Sequence, residues 1–343
     1  MPTSQPIPDK AMLPLNSRRP VPLRRALVFA ASTFLLSARG AGRPWRIGVL
    51  IGGTRRPETE AQADAFRSGL EAGALLQRPD VSLDVRWGGG DIRQIRLVAA
   101  AMQAERFDLY AVATATAVRE VQRMVAGRPI VFWAVSDPVG NGFVTNAAQP
   151  GGNITGFALY PYEVGGKWLQ LLKEAAPGSE HAYVLMSADN PNIAGWKRAM
   201  EADAARTRLK LTWPELRRPA DVEVALRAAS RAARTGVIAL PDPFLTRPEI
   251  AALLTAFSGA VPIVTGMQNG AETGAVISYE VDQVDLARRA GTYAARILRG
   301  EKPGDLPVQA ADKYRLVINR KVQQSLGIQL PETLLVRADR VIE

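Results

Sequence analysis

Apolar residues along this chain recur with two alternating periods, and that alternation predicts the architecture. Arg46–Ile51 (RIGVLI) is a short apolar run closed by Gly52-Gly53, the pattern of a buried strand. Glu58–Leu76 has helical spacing at Ala61, Ala65, Phe66, Gly69, Leu70 and Gly73. Val81–Trp87 alternates apolar and polar positions, as a strand does. Asp91 is placed to cap a helix running through Gln103. Phe107–Ala113 predicts a strand, Thr114–Val125 a helix and Pro129–Val135 a strand.

The second half repeats the rhythm. Ala182–Ser187 predicts a strand, and Pro191–Thr207 a helix with proline in its first turn. Then come strand Leu209–Trp213, helix Ala220–Arg234, strand Gly236–Leu240, helix Pro248–Phe257 and strand Val261–Thr265. Strands alternating with helices over short loops make a parallel sheet covered on both faces. The expected fold class is therefore α/β, with two doubly wound parallel-sheet lobes. Asn153–Leu159, Ala275–Val281 and Lys313–Asn319 read as passages between the lobes, a multi-strand hinge. A long helix, Gln283–Arg299, stands between the last two and is ended by Gly300. This assigns residues 43–157 with 283–312 to an N-terminal lobe, and 158–282 with 313–343 to a C-terminal lobe.

Residues 1–42 read differently. Six prolines fall within residues 1–22, a density no helix or strand survives. Arg24-Arg25 then precede Ala26–Ala38 (ALVFAASTFLLSA), which is shorter than the about 20 apolar residues a membrane span needs. A basic flank, a short apolar core and small residues after it are the parts of a signal peptide. Cleavage is expected near residues 40–42, and a periplasmic location follows. Without cysteine, no lipid anchor is expected there. An uncleaved anchor or an internal apolar helix is the alternative reading of the same stretch.

The chain has 343 residues, 47% hydrophobic and 22% charged, which suits a two-domain globular protein. Its net charge is +10, but half of that excess lies in residues 1–42. The remainder has no compact Lys/Arg run with interleaved aromatics, so no nucleic-acid partner is expected. Cysteine is absent, which excludes a disulfide scaffold, a thiolate zinc site and a cysteine nucleophile. His181 is the only histidine and opens a strand, so a serine-hydrolase triad would have to use it. No Gly-x-Ser-x-Gly elbow, phosphate loop or dinucleotide fingerprint occurs. No enzyme activity, cofactor or metal is expected, and the chain is expected to be a monomer.

In open α/β sheets, ligands sit beyond the carboxyl ends of the strands. After the first strand come Gly52, Gly53 and Thr54; after the third, Thr114, Ala115 and Thr116 open a helix. Ser136-Asp137-Pro138 follows the fourth strand. In the second lobe the corresponding residues are Asn190, Asp242 and Gln268. Thr114 and Thr116 at a helix N-terminus offer hydroxyls and N–H groups to a carboxylate. Asp137 or Asp242 would bind an ammonium. Trp133, Tyr160, Tyr162 or Phe244 would form an apolar wall. Each has a plainer reading: the threonines and Asn190 as helix caps, the two aspartates beside prolines as turns, Trp133 as core.

Taken together, several stretches resemble a known family. They include RIGVLIGG at 46–53, PIVFWAVSDPVGNGFV at 129–144, QPGGNITGF at 149–157, LPDPF at 240–244 and the C-terminal block from Tyr314. The chain from residue 45 onward resembles the ABC transporter substrate-binding family that includes tryptophan- and tyrosine-binding members. The resemblance implies the type I periplasmic-binding-protein fold, an inner-membrane permease and its ATPase as partners, and a small-molecule solute. It also implies ligand contacts from Thr114, Thr116, Asp137, Asn190 and Asp242. The chain departs from the family pattern at Ser187–Pro191, at Glu280 and at Gln268-Asn269-Gly270. The expected function is an extracytoplasmic solute-binding component of an importer, with an amino acid or related carboxylate favoured. A periplasmic sensory module and a two-lobed enzyme such as a glycosyltransferase are the alternatives.

Overall fold

The structure is a computed structural model that describes residues 44–73 and 81–343. The expected signal peptide, its cleavage and the end of the first helix lie outside the described residues. In chain order the first elements are β1 (Trp45–Ile51), α1 (Pro57–Ala72), β2 (Val81–Trp87), α2 (Ile92–Glu105), β3 (Leu109–Ala113), α3 (Ala115–Met124), β4 (Ile130–Val135) and β5 (Ile154–Ala158). Next come α4 (Val164–Ala175), β6 (His181–Leu185), α5 (Ile193–Thr207), β7 (Lys210–Thr212), α6 (Pro219–Arg231), β8 (Thr235–Ala239), α7 (Pro248–Ala256), β9 (Ile263–Thr265) and β10 (Ile277–Val281). The chain ends with α8 (Gln283–Leu298), β11 (Gln309–Ala310), β12 (Tyr314–Asn319), α9 (Arg320–Ser325), α10 (Glu332–Val336) and β13 (Arg340–Ile342).

Two sheets result. The first is all parallel, in the order β11-β5-β4-β3-β1-β2. Its central strands β3 and β4 are buried at every residue, because helices cover both faces and no position can be polar. The second sheet has the order β13-β12-β10-β9-β8-β6-β7. It departs from the expected parallel arrangement at one side, where β12 runs antiparallel to β10 and β13 follows β12. Tyr314 re-enters this sheet opposite Val281, where the chain had left it, so the returning strand must run backwards.

The helices start where the sequence supplies caps. The Asp91 carboxylate accepts hydrogen bonds from the N–H groups of Arg93 (2.8 Å) and Gln94 (3.3 Å) ahead of α2. Asp282 does the same ahead of α8 for Val284 (3.0 Å) and Asp285 (3.1 Å). Pro191 is a difference: it precedes the cap residue Asn192 and lies outside the first turn of α5.

The three stretches read as passages are strands: β5 belongs to the first sheet, β10 and β12 to the second. The chain crosses between sheets just beyond them, at residues 159–163, at Asp282 and at residues 311–313. Side chains bolt these crossings together. The Tyr160 hydroxyl donates to the Gly266 carbonyl (2.9 Å) and accepts from the Val281 N–H (2.8 Å). Tyr279 and Tyr314 stack with ring centroids 5.4 Å apart. Among the described residues, no helix is long and apolar enough to cross a membrane.

Candidate functional site

The carboxyl ends of both sheets face a cavity of about 690 Å³, counting its open mouth. From the first lobe it is lined by Arg56, Gln62, Thr114 and Ala115; from the second, by Asn190, Asp242 and Gln268. Thr116 is buried and faces an adjoining outer chamber, which shares Asn190 and Asp242 with the inner cavity.

Thr114 is the most unusual of these. It precedes α3 with φ of 84°, a region that bulky side chains seldom enter. Its side chain does not cap the helix, contrary to the plainer reading. Its Oγ1 is buried and has no hydrogen-bond partner in the protein. Gly52 makes room for it, since a Cβ there would collide with that oxygen. A strained residue that buries an unpaired hydroxyl against a cavity is a cost to the fold.

Two more polar atoms on the same cavity are buried without a hydrogen bond: Arg56 Nε and Gln268 Oε1. Arg56 Nε itself lies 3.4 Å from Glu58 Oε2, an ion pair without hydrogen-bond geometry. The helical amide Gln62 is already used: it accepts from Trp133 Nε1 (3.0 Å) and donates to Gln283 Oε1 (3.2 Å).

Asp242 is 5% exposed. It accepts hydrogen bonds from the N–H groups of Ser187 (2.7 Å) and Phe244 (2.8 Å). Burial pushes its carboxyl above the usual carboxylate range, while these N–H groups and the Asn190 side chain hold it back. The residue therefore organises two loops and still presents an acid to the cavity. Asn190 accepts from the Asn192 N–H (2.9 Å), so it shapes the loop before α5, and Asn192 occupies the cap position.

Two expected ligand residues are placed elsewhere. Asp137 has φ of 39° and turns its carboxylate back onto the Gly140 N–H (2.8 Å). It lines a separate groove of about 730 Å³ with Pro138 and Val308, not the cavity. Its turn curls away because Asn141 Nδ2 donates to the carbonyls of Ser136 (2.9 Å) and Asp137 (3.0 Å). Thr54 spends its hydroxyl on the Thr246 carbonyl of the opposite lobe (3.1 Å). The expected aromatic wall is also absent from the inner cavity. Trp133 stacks on Phe66 in the core, Tyr160 sits among the crossings, Tyr162 packs on Trp196, and Phe244 faces the outer chamber. The apolar lining is instead aliphatic: Ile51, Leu159 and Met267 with small residues and prolines.

Several contacts join the lobes around the rim. Besides Thr54–Thr246, Asn141 Nδ2 donates to Asn192 Oδ1 (2.6 Å), and Asn269 Nδ2 reaches Glu58 Oε1 (3.5 Å). Arg247 lies 3.6 Å from Asp91. Gly90 sits so close to the Pro243 carbonyl that a Cβ would collide with it.

Sequence reasoning missed Arg56, Gln62 and Gln283. Arg56 follows Thr54 in the same strand-to-helix loop, so reading that loop to its end would have found it. Gln62 and Gln283 lie on helices, which the rule about strand ends does not inspect.

A family model described as ABC transporter substrate binding protein matches residues 56–342. The chain is 23% identical over 275 residues to the tyrosine-binding protein of Clostridioides difficile (strain R20291), covering 80% of this chain and 78% of that protein. Among solved structures, an ABC domain from Streptococcus pneumoniae in complex with L-Trp superposes with a TM-score of 0.78 at 23% identity. A conserved domain protein from Vibrio cholerae superposes with a TM-score of 0.79 at 27% identity. Each of the two spans 87% of this chain and is itself covered in full (100%). The fold is that of the type I periplasmic binding proteins.

Proposed function

Because the chain belongs to the family of ABC transporter substrate binding proteins, we propose that it is the extracytoplasmic solute receptor of an importer. In this reading it captures an amino acid or a related small carboxylate between two closing lobes and catalyses nothing. An inner-membrane permease and its ATPase are the partners. Ala26–Ala38 serves as the export signal, cleaved near residues 40–42.

One observation carries the reading. Three buried polar atoms without hydrogen-bond partners, two from the first lobe and one from the second, line the same cavity. Fold stability alone disfavours such atoms, and a solute would satisfy them. A carboxylate fits Arg56 and the Thr114 hydroxyl at the start of α3, where the helix dipole also favours an anion. An ammonium fits Gln268 Oε1 and Asp242. Because the two ends of such a solute bind different lobes, it stabilises the closed form over the open one. Residues 159–163, 282 and 311–313 then act as the hinge, moving 43–157 with 283–312 against 158–282 with 313–343.

Thermal unfolding against a panel of amino acids, small carboxylates, sugars and polyamines tests the proposal. A ligand that binds only the folded state raises the melting temperature with concentration. A shift with amino acids or carboxylates is expected. A shift confined to sugars or polyamines would overturn the assignment of solute class, and no shift at all would count against solute capture.

A further inference from the structure

The walls of the inner cavity say more about the solute than its two charged ends do. We propose that the solute is a compact, non-aromatic zwitterion, and that Gln268 is the residue that selects it. The inference rests on the reading of this cavity as the solute site.

Aromatic side chains are missing from the lining of the inner cavity among the described residues. The rings near it are committed elsewhere by bonds that a solute would have to break. Trp133 donates its indole N–H to Gln62 and stacks on Phe66 at 5.6 Å, and Tyr160 uses its hydroxyl twice at the lobe crossings. A ring-bearing solute would therefore meet no ring to stack on, and ring pairs supply affinity beyond area burial.

Gln268 supplies the positive half of the argument. It sits in the loop after β9, at the carboxyl end of the second sheet, and its Oε1 is buried without a partner. An amide oxygen is an acceptor only, so the complementary solute atom is an N–H or O–H. Across the cavity, Arg56 Nε is a donor only; it makes no hydrogen bond, and Glu58 Oε2 lies beside it at 3.4 Å. The cavity is thus polarised between the lobes, with Ile51, Leu159 and Met267 left to cover a short aliphatic body.

Isothermal titration of the full chain with alanine, serine, leucine, glutamine, tryptophan and tyrosine tests this, alongside Gln268→Leu and Gln268→Phe. The wild type is expected to bind at least one of the four non-aromatic amino acids about tenfold or more tightly than either aromatic one. Gln268→Leu keeps much of the side-chain volume and removes the acceptor. It is expected to weaken the preferred solute by roughly 10-fold or more, since a charged donor loses its partner. Gln268→Phe is expected to narrow the gap to tryptophan and tyrosine. Tightest wild-type binding of tryptophan or tyrosine would overturn the inference and leave solute capture standing. A non-aromatic preference unchanged in Gln268→Leu would overturn the role of Gln268. Absence of binding by every compound in a folded wild-type protein would overturn the underlying reading and this inference with it.

Discussion

Replacing Thr114 by valine should move stability and affinity in opposite directions. The two side chains have nearly the same shape, and both are β-branched, so the strain at φ of 84° is common to them. What changes is the hydroxyl, which is buried, lines the cavity and has no partner in the protein. Burying an unsatisfied polar group is costly, so its removal should stabilise the unliganded protein by about 1 kcal/mol. For a chain of this size the unfolding entropy converts that to a rise of about 2 °C in melting temperature. With solute bound, the same hydroxyl would donate to a carboxylate, a bond worth about 1.5–3 kcal/mol. Thr114→Val should therefore weaken the solute by roughly 10- to 100-fold, read by calorimetric titration. A residue needed only for folding would give the reverse: a lower melting temperature and unchanged affinity. That result would refute the reasoning.

Three further predictions follow from the same geometry. Gly90→Ala puts a Cβ against the Pro243 carbonyl at a φ of +69°, so it should hold the lobes apart; small-angle scattering should show reduced compaction on adding solute, with affinity down by about tenfold or more. Asp137→Ala should leave affinity unchanged in titration and cost about 1 kcal/mol of stability, because its carboxylate serves only its own turn. Burial raises the Asp242 carboxyl, so the folded state holds that proton more tightly than the unfolded one; this group's penalty to stability is present above the raised pKa and is relieved as pH falls through it. A cationic solute group needs the ionised form, so affinity should fall across the same acidic interval in wild type, and Asp242→Asn should flatten that part of the titration profile.

Much of the fold was legible because burial forces periodicity. β3 and β4 read as unbroken apolar runs because both their faces are covered, and Asp91 marked the start of α2 through its side chain. The antiparallel return of β12 was not legible, since strand direction depends on where the chain re-enters a sheet and leaves no local pattern. Helix α4, which follows the first crossing and covers the second sheet, was not read as an element from the sequence.

The site was legible at the level of loops and not of atoms. Thr114, Ala115, Asn190, Asp242 and Gln268 meet because the ends of parallel strands converge. Asp137 lies at such an end too, yet its positive φ turns the side chain toward Gly140, which no spacing rule reveals. The aromatic wall failed as an expectation for a related reason. Trp133 is a strand residue facing the core, and the same strand pattern suits either face until the helices are placed.

The central claim is that polar atoms from both lobes jointly hold one small solute. Calorimetric titration of the wild-type protein with the solute that most raises its melting temperature tests it most directly. The account predicts saturable binding of one solute per chain, weakened both by Arg56→Gln on one lobe and by Gln268→Leu on the other. Binding indifferent to both substitutions would place the solute outside this cavity and contradict the account.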